Sequence, residues 1–109
     1  MTKAILIHEK LGAVEEIDLD IAPEKNQIYK LLGNRATFIG QWPGIDVCIM
    51  KAEKSKLSKN GNELPRPFSS EEVYGKIILV RMDENSEPRD FTLAEYESFR
   101  NGRNKRVAV

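Results

Sequence analysis

A chain of 109 residues and 12.4 kDa, 40% hydrophobic and 31% charged, holds one small globular domain and excludes a two-domain enzyme. Its 17 Lys and Arg cancel 17 Asp and Glu, so no function can rest on overall charge, and any electrostatic role must come from local patches. The single cysteine, Cys48, excludes an internal disulfide, and with a single histidine it leaves too few soft ligands for a four-ligand zinc site.

Residues 3–9 alternate around β-branched side chains, Leu11 and Gly12 supply a turn, and residues 14–21 place Ile17, Leu19 and Ile21 on one face. Together they predict a β-hairpin. Glu16, Asp18 and Asp20 then line the other face of the second strand, which must be solvated or paired with cations. Pro23 at a first helical position, Ile28, Leu31 and Leu32 at helical spacing, and Gly33 as a C-terminal stop predict a helix over 23–32. A strand over 36–41, a Trp42-Pro43-Gly44 turn and a strand over 45–50 predict a second hairpin.

From 51 to 66 the apolar pattern gives way to a polar, lysine-rich stretch with Asn60-Gly61 and two prolines, predicting a long polar loop over 51–68. Ser69 with Glu72 spells a capping box, and Phe68 with Val73 a hydrophobic staple, so one helical turn is expected over 70–74, closed by Gly75. Residues 76–82 (KIILVRM) are the most apolar segment and read as a strand in the middle of the sheet. After a turn-rich loop, Thr92 with Glu95 and Phe91 with Tyr96 repeat the box and staple. They open a helix whose buried stripe is Leu93, Tyr96 and Phe99, and Gly102 closes it.

The expected fold is α+β: a small antiparallel or mixed sheet of about five strands, with two to three short helices on one face. Residues 1–101 make a single domain and 102–109 a basic, flexible tail. No apolar run nears the roughly 18 residues of a membrane span, and the apolar start at 4–7 is shorter than a signal-peptide core. A cytoplasmic protein is expected.

No dinucleotide or phosphate loop, no H-E-x-x-H zinc motif and no C-x-x-C pair occurs, so the sequence calls for no cofactor, no metal and no assembled catalytic set. His8 lies in a strand with no nucleophile motif beside it, and a small enzyme built from His8 or scattered carboxylates is the least supported class. The Glu16, Asp18 and Asp20 row fits a solvated strand face better than a cation site. Cys48, between Val47 and Ile49, reads as a small buried hydrophobe.

Two basic groups could touch phosphates. Lys51, Lys54, Lys56 and Lys59 form one, and Arg100, Arg103, Lys105 and Arg106 the other, although no interleaved aromatics stand ready to stack on bases. The candidate protein contacts are Trp42 beside its turn, Arg66 held between Pro65 and Pro67, and Phe68. The competing account of Trp42 is a lid folded back over the core. An edge strand also offers a route to a homodimer.

Several segments, AILIHEKLGAVEEIDL, LLGN, FIGQWPGIDVCIM, NGNELPRPF, GKIILVR and DFTLAEYESF, span nearly the whole chain from Ala4 to Phe99. In their order the chain resembles a family of small uncharacterised proteins of phages, prophages and large DNA viruses, a domain of unknown function. The resemblance implies a viral or phage accessory protein in the host-cell cytoplasm and carries over no active-site residue. The lysine-rich 51–59 and the basic tail depart from the family. The function expected from the sequence is therefore a non-enzymatic module that engages a protein partner, with nucleic-acid binding through the two basic groups as the alternative.

Overall fold

The computed structural model describes residues 2–33, 35–53 and 58–104. Six strands form one antiparallel sheet: β1 (Thr2–Ile7), β2 (Val14–Leu19), β3 (Ala36–Trp42), β4 (Val47–Ala52), β5 (Ile77–Met82) and the two-residue β6 (Pro88–Arg89). Their order is β2-β1-β5-β4-β3, with β6 also paired to β5. The KIILVRM segment is the middle strand as expected, and Ile77, Ile78, Leu79 and Val80 are all buried because both faces of the sheet are covered there.

The two faces carry separate cores. On one, Ile5, Ile7, Val47, Ile49, Ile77 and Leu79 pack under α2 (Leu93–Asn104) through Tyr96, Leu93 and Phe99. On the other, Ala4, Leu6, Leu19, Ala52, Ile78 and Val80 pack under α1 (Gln27–Leu32) through Ile28, Leu31 and Leu32. The α+β class and antiparallel sheet agree with expectation, but the helices lie on opposite faces, not on one. The reason is β5: Ile77, Ile78, Leu79 and Val80 are four apolar residues in a row, alternate ones face opposite ways, and each side needs its own cover.

Other elements also differ from the sequence reading. The helix expected over 23–32 is a 3-10 turn, Pro23–Lys25, followed by the six-residue α1, because Asn26 between them takes a left-handed conformation with φ 53°. Gly33 does end α1 as expected, at φ 70°, its N–H bonded to the Tyr29 carbonyl. The second hairpin turns at 43–46 and not at 42–44, so that β3 gains Trp42 and β4 begins two residues later than expected, with Asp46 at φ 55°. That shift makes Trp42 a strand residue paired with Val47.

α2 runs through Gly102, the expected stop, to Asn104, but at its N-terminus it is capped as the sequence predicts. The Thr92 N–H donates to Glu95 Oε1 (3.1 Å), the Glu95 N–H donates to Thr92 Oγ1 (3.2 Å), and the Phe91 and Tyr96 rings meet edge to face at 6.2 Å. Glu16 of β2 accepts the Leu93 N–H from outside at 2.9 Å, satisfying another donor of the first turn. Arg81 donates to Glu95 at 2.8 Å and lies 5.0 Å over the Phe91 ring, and that hydrogen bond is the main reason the Glu95 carboxyl titrates below its ordinary range.

Tyr96 is 2% exposed, and burial pushes its phenol up from 10.0 to about 12. A raised folded value means that the neutral ring stabilises the fold fully below pH 10.0, and that this contribution fades as pH rises toward about 12. About 2–3 kcal/mol is at stake. Resistance of the wild type to urea should weaken across that alkaline window by more than that of Tyr96→Phe, which keeps only the smaller losses from other groups, Cys48 among them. Parallel pH profiles would show that the phenol ionises freely in the folded protein.

Candidate functional site

The residues singled out from the sequence do not form one surface. Trp42 is fully buried, its rings edge to face with Phe99 (5.0 Å) and Phe68 (6.0 Å), and its Nε1–H donates to the Arg66 carbonyl at 3.0 Å. This corrects the reading of Trp42 as a contact anchor, since no partner reaches it in the folded chain; it is the lid account, carried inward, that describes it. Phe68 is half-buried against the same core and sits over Gly40, where a β-carbon would come within 2.5 Å of its ring. Of the three proposed contact residues, only the Arg66 side chain stands exposed.

The polar stretch is held to the sheet over its described part. Lys59 bridges Tyr74, the Asn60 N–H donates to the Val73 carbonyl (2.8 Å) and the Gly75 N–H to Ser58 (2.7 Å). That pairing takes the backbone the expected 70–74 helix would have used, and no helix forms there. Asn60, 6% exposed, donates its amide to the Gly75 carbonyl at 2.9 Å. Asn62 ties the same segment to the first hairpin, donating to the His8 and Lys10 carbonyls and accepting from the Gly12 N–H.

The basic groups are not brought together among the described residues. Lys51 belongs to β4, not to the loop, and its ammonium donates to the Ala52 carbonyl; Lys59 pairs with Glu72 at 3.1 Å. Arg100 follows Phe99, which packs on Trp42 at the other end of the β3–β4 hairpin from Lys51. Lys54, Lys56, Lys105 and Arg106 lie outside the described residues, as does the side chain of Arg103. The acidic row is likewise divided: Glu16 holds α2, Asp18 pairs with Lys3 at 2.7 Å, and Asp20 accepts the Ala22 N–H. His8 pairs with Glu15. No grouping of three His, Cys, Asp or Glu that could hold a metal occurs among the described residues.

Sequence reasoning missed a groove on the α1 face. The six-residue α1 is about 9 Å long and leaves part of the sheet uncovered. There Ile21 and Ile28, with Phe38, Cys48, Met50, Val80 and Met82 of the sheet, line an apolar hollow of about 200 Å³. Phe38 is 57% exposed on the end strand β3, and Tyr29 on α1 is 50% exposed. Burial, then the nearby charge of Asp46, pushes the Cys48 thiol up, so at neutral pH it is a thiol and not a nucleophilic thiolate. The only signal of this site in the sequence is the pairing of Phe38 and Met50 across a hairpin, which reads equally well as core.

The fold and groove define a single-sheet α+β domain with one incompletely covered face. The chain belongs to a family of unknown function, DUF5880, whose model matches residues 5–99. No curated protein and no solved structure matches it. No helix of the described residues is long and apolar enough to cross a membrane.

Proposed function

We propose that the protein is a non-enzymatic interaction module that takes an extended protein segment along β3, with an apolar side chain of that segment seated in the groove beside Phe38. The observation that carries this reading is the apolar groove opening beside an end strand whose seven residues, ATFIGQW, include no charge and no proline. Such an edge offers unpaired N–H and C=O groups; of the devices that guard edges against pairing, β3 lacks charges and prolines and carries a bulge only between Phe38 and Gly40. Strand addition draws affinity from the main chain and selectivity from a side-chain pocket, which is the combination present here. The viral or phage accessory role implied by the resemblance belongs to the same proposal and is supported by the resemblance alone. Nucleic-acid binding loses ground because Lys51 and Lys59 are engaged within the chain and stand apart from Arg100.

The test places a photo-crosslinking benzoylphenylalanine at position 38 in the cell that makes the protein. Adducts with protein should form there and not when the same group replaces Leu11, the 75% exposed side chain at the first hairpin tip. Equal adducts at both positions, or none at 38, would remove the groove from consideration. Adducts with nucleic acid would favour the alternative.

A further inference from the structure

Resting on that reading of the β3 edge, we infer that the segment β3 receives is the β3 strand of a second copy of this chain, joined antiparallel in the register centred on Thr37. The two ends of the sheet differ in charge. β2, at one end, carries Glu15, Glu16 and Asp18 in six residues, so pairing it with itself would set carboxylates against carboxylates. At the other end β3 carries no charge, and the chain as a whole has a formal net charge of zero, so two copies meet there with neither local nor overall repulsion. Among the described residues β3 pairs with β4 alone.

The edge is also self-complementary in shape. Ala36 and Phe38 pair with Ala52 and Met50 on the groove side of the sheet, and both are exposed. A two-fold axis perpendicular to the sheet, midway between the two copies' Thr37, keeps the same face outward in both copies and sets each Phe38 opposite the other copy's Ala36. The large ring covers the small side chain, Thr37 meets its own counterpart on the opposite face, and the two grooves flank a shared apolar seam. The register shift between Phe38 and Gly40 ends regular pairing just beyond this point, so the contact is short and its population depends on concentration.

Sedimentation equilibrium of the full chain over a wide concentration range tests the inference. The mass should rise from 12.4 kDa toward twice that value. Thr37→Lys and Phe38→Glu, each placing like charges at the seam, should each weaken association by at least about tenfold while circular dichroism stays unchanged. Residues directly opposite in an antiparallel pair lie about 4.5–5.5 Å apart at Cα, within disulfide range, so Thr37→Cys in a Cys48→Ser background should oxidise to a covalent dimer. The same change at Gln41 should not. A monomer at every concentration, a dimer indifferent to both charge variants, or equal crosslinking at 37 and 41 would overturn the inference. Should the chain prove monomeric while position 38 still photo-crosslinks to other proteins, the docking reading stands and only the second copy is lost.

Discussion

Trp42→Ala should cost the domain about 3–5 kcal/mol, the range for removing a large buried aromatic, out of a total of about 5–15 kcal/mol for a protein of this kind. The ring is fully buried and joins three parts of the chain: Val47 beside it in the sheet, Phe99 of α2 at 5.0 Å, and Phe68 of the loop at 6.0 Å. Its removal leaves a cavity bounded by a sheet, a helix and a loop, and a sheet braced on both faces has little freedom to collapse into it. The Arg66 carbonyl also loses its donor. At about 4–8 °C per kcal/mol for domains of this size, the midpoint of thermal unfolding should fall by about 12–40 °C. Trp42→Phe keeps most of the ring and loses the N–H, and should cost only about 1–2 kcal/mol. Circular dichroism melts of both variants measure this order. An alanine variant melting with the wild type would return Trp42 to the surface.

The misplacement of Trp42 in the sequence shows where such reading stops. A Trp-Pro-Gly triplet is good turn chemistry, and the turn does come directly after Trp42. One residue decides whether Trp42 opens the turn or ends the strand, and so whether its ring is a surface anchor or the centre of a core, and turn propensity does not resolve one residue. The two capping boxes make the same point from the other side. Thr92 with Glu95 closes its box because twelve residues of helix follow and repay nucleation, with Tyr96 and Phe99 packing as they do so. Ser69 with Glu72 has only a few residues to follow, and Val73 and Gly75 bond instead to the 58–60 segment. The central position of β5 was legible because Ile77 to Val80 are apolar without a break. The opposite placement of the helices follows from the same pattern, yet it needs to be known that both faces are covered by this chain. The groove was illegible because it arises from the shortness of α1, which depends on Asn26 leaving the helical region.

Least legible of all was the clasp at Asn60, and its removal is expected to be the second costly change. Asn60 lies in a run that reads as a solvated loop, and its partners are backbone groups far along the chain: the amide donates to the Gly75 carbonyl (2.9 Å) and lies 3.5 Å from that of Ile7. Its oxygen accepts from the Asn62 N–H at 2.9 Å. Asn60→Ala leaves the buried Gly75 carbonyl unpaired and frees Asn62 from its orienting partner, for a loss of about 2–4 kcal/mol. Asn60→Asp separates the parts of that loss. The carboxylate keeps an acceptor for Asn62 but turns negative charge toward two carbonyl oxygens, so it should be no better than alanine and, being buried, should recover as pH falls and the group protonates. The loop should open before the sheet does. Hydrogen exchange at Gly12, Gly61 and Gly75, whose N–H groups bond to Asn62, Glu9 and Ser58, should accelerate in both variants well ahead of β4 and β5. Uniform acceleration across the chain would mean that the clasp and the sheet unfold as one unit, and that 58–75 is part of the core's cooperative structure and not a segment fastened onto it.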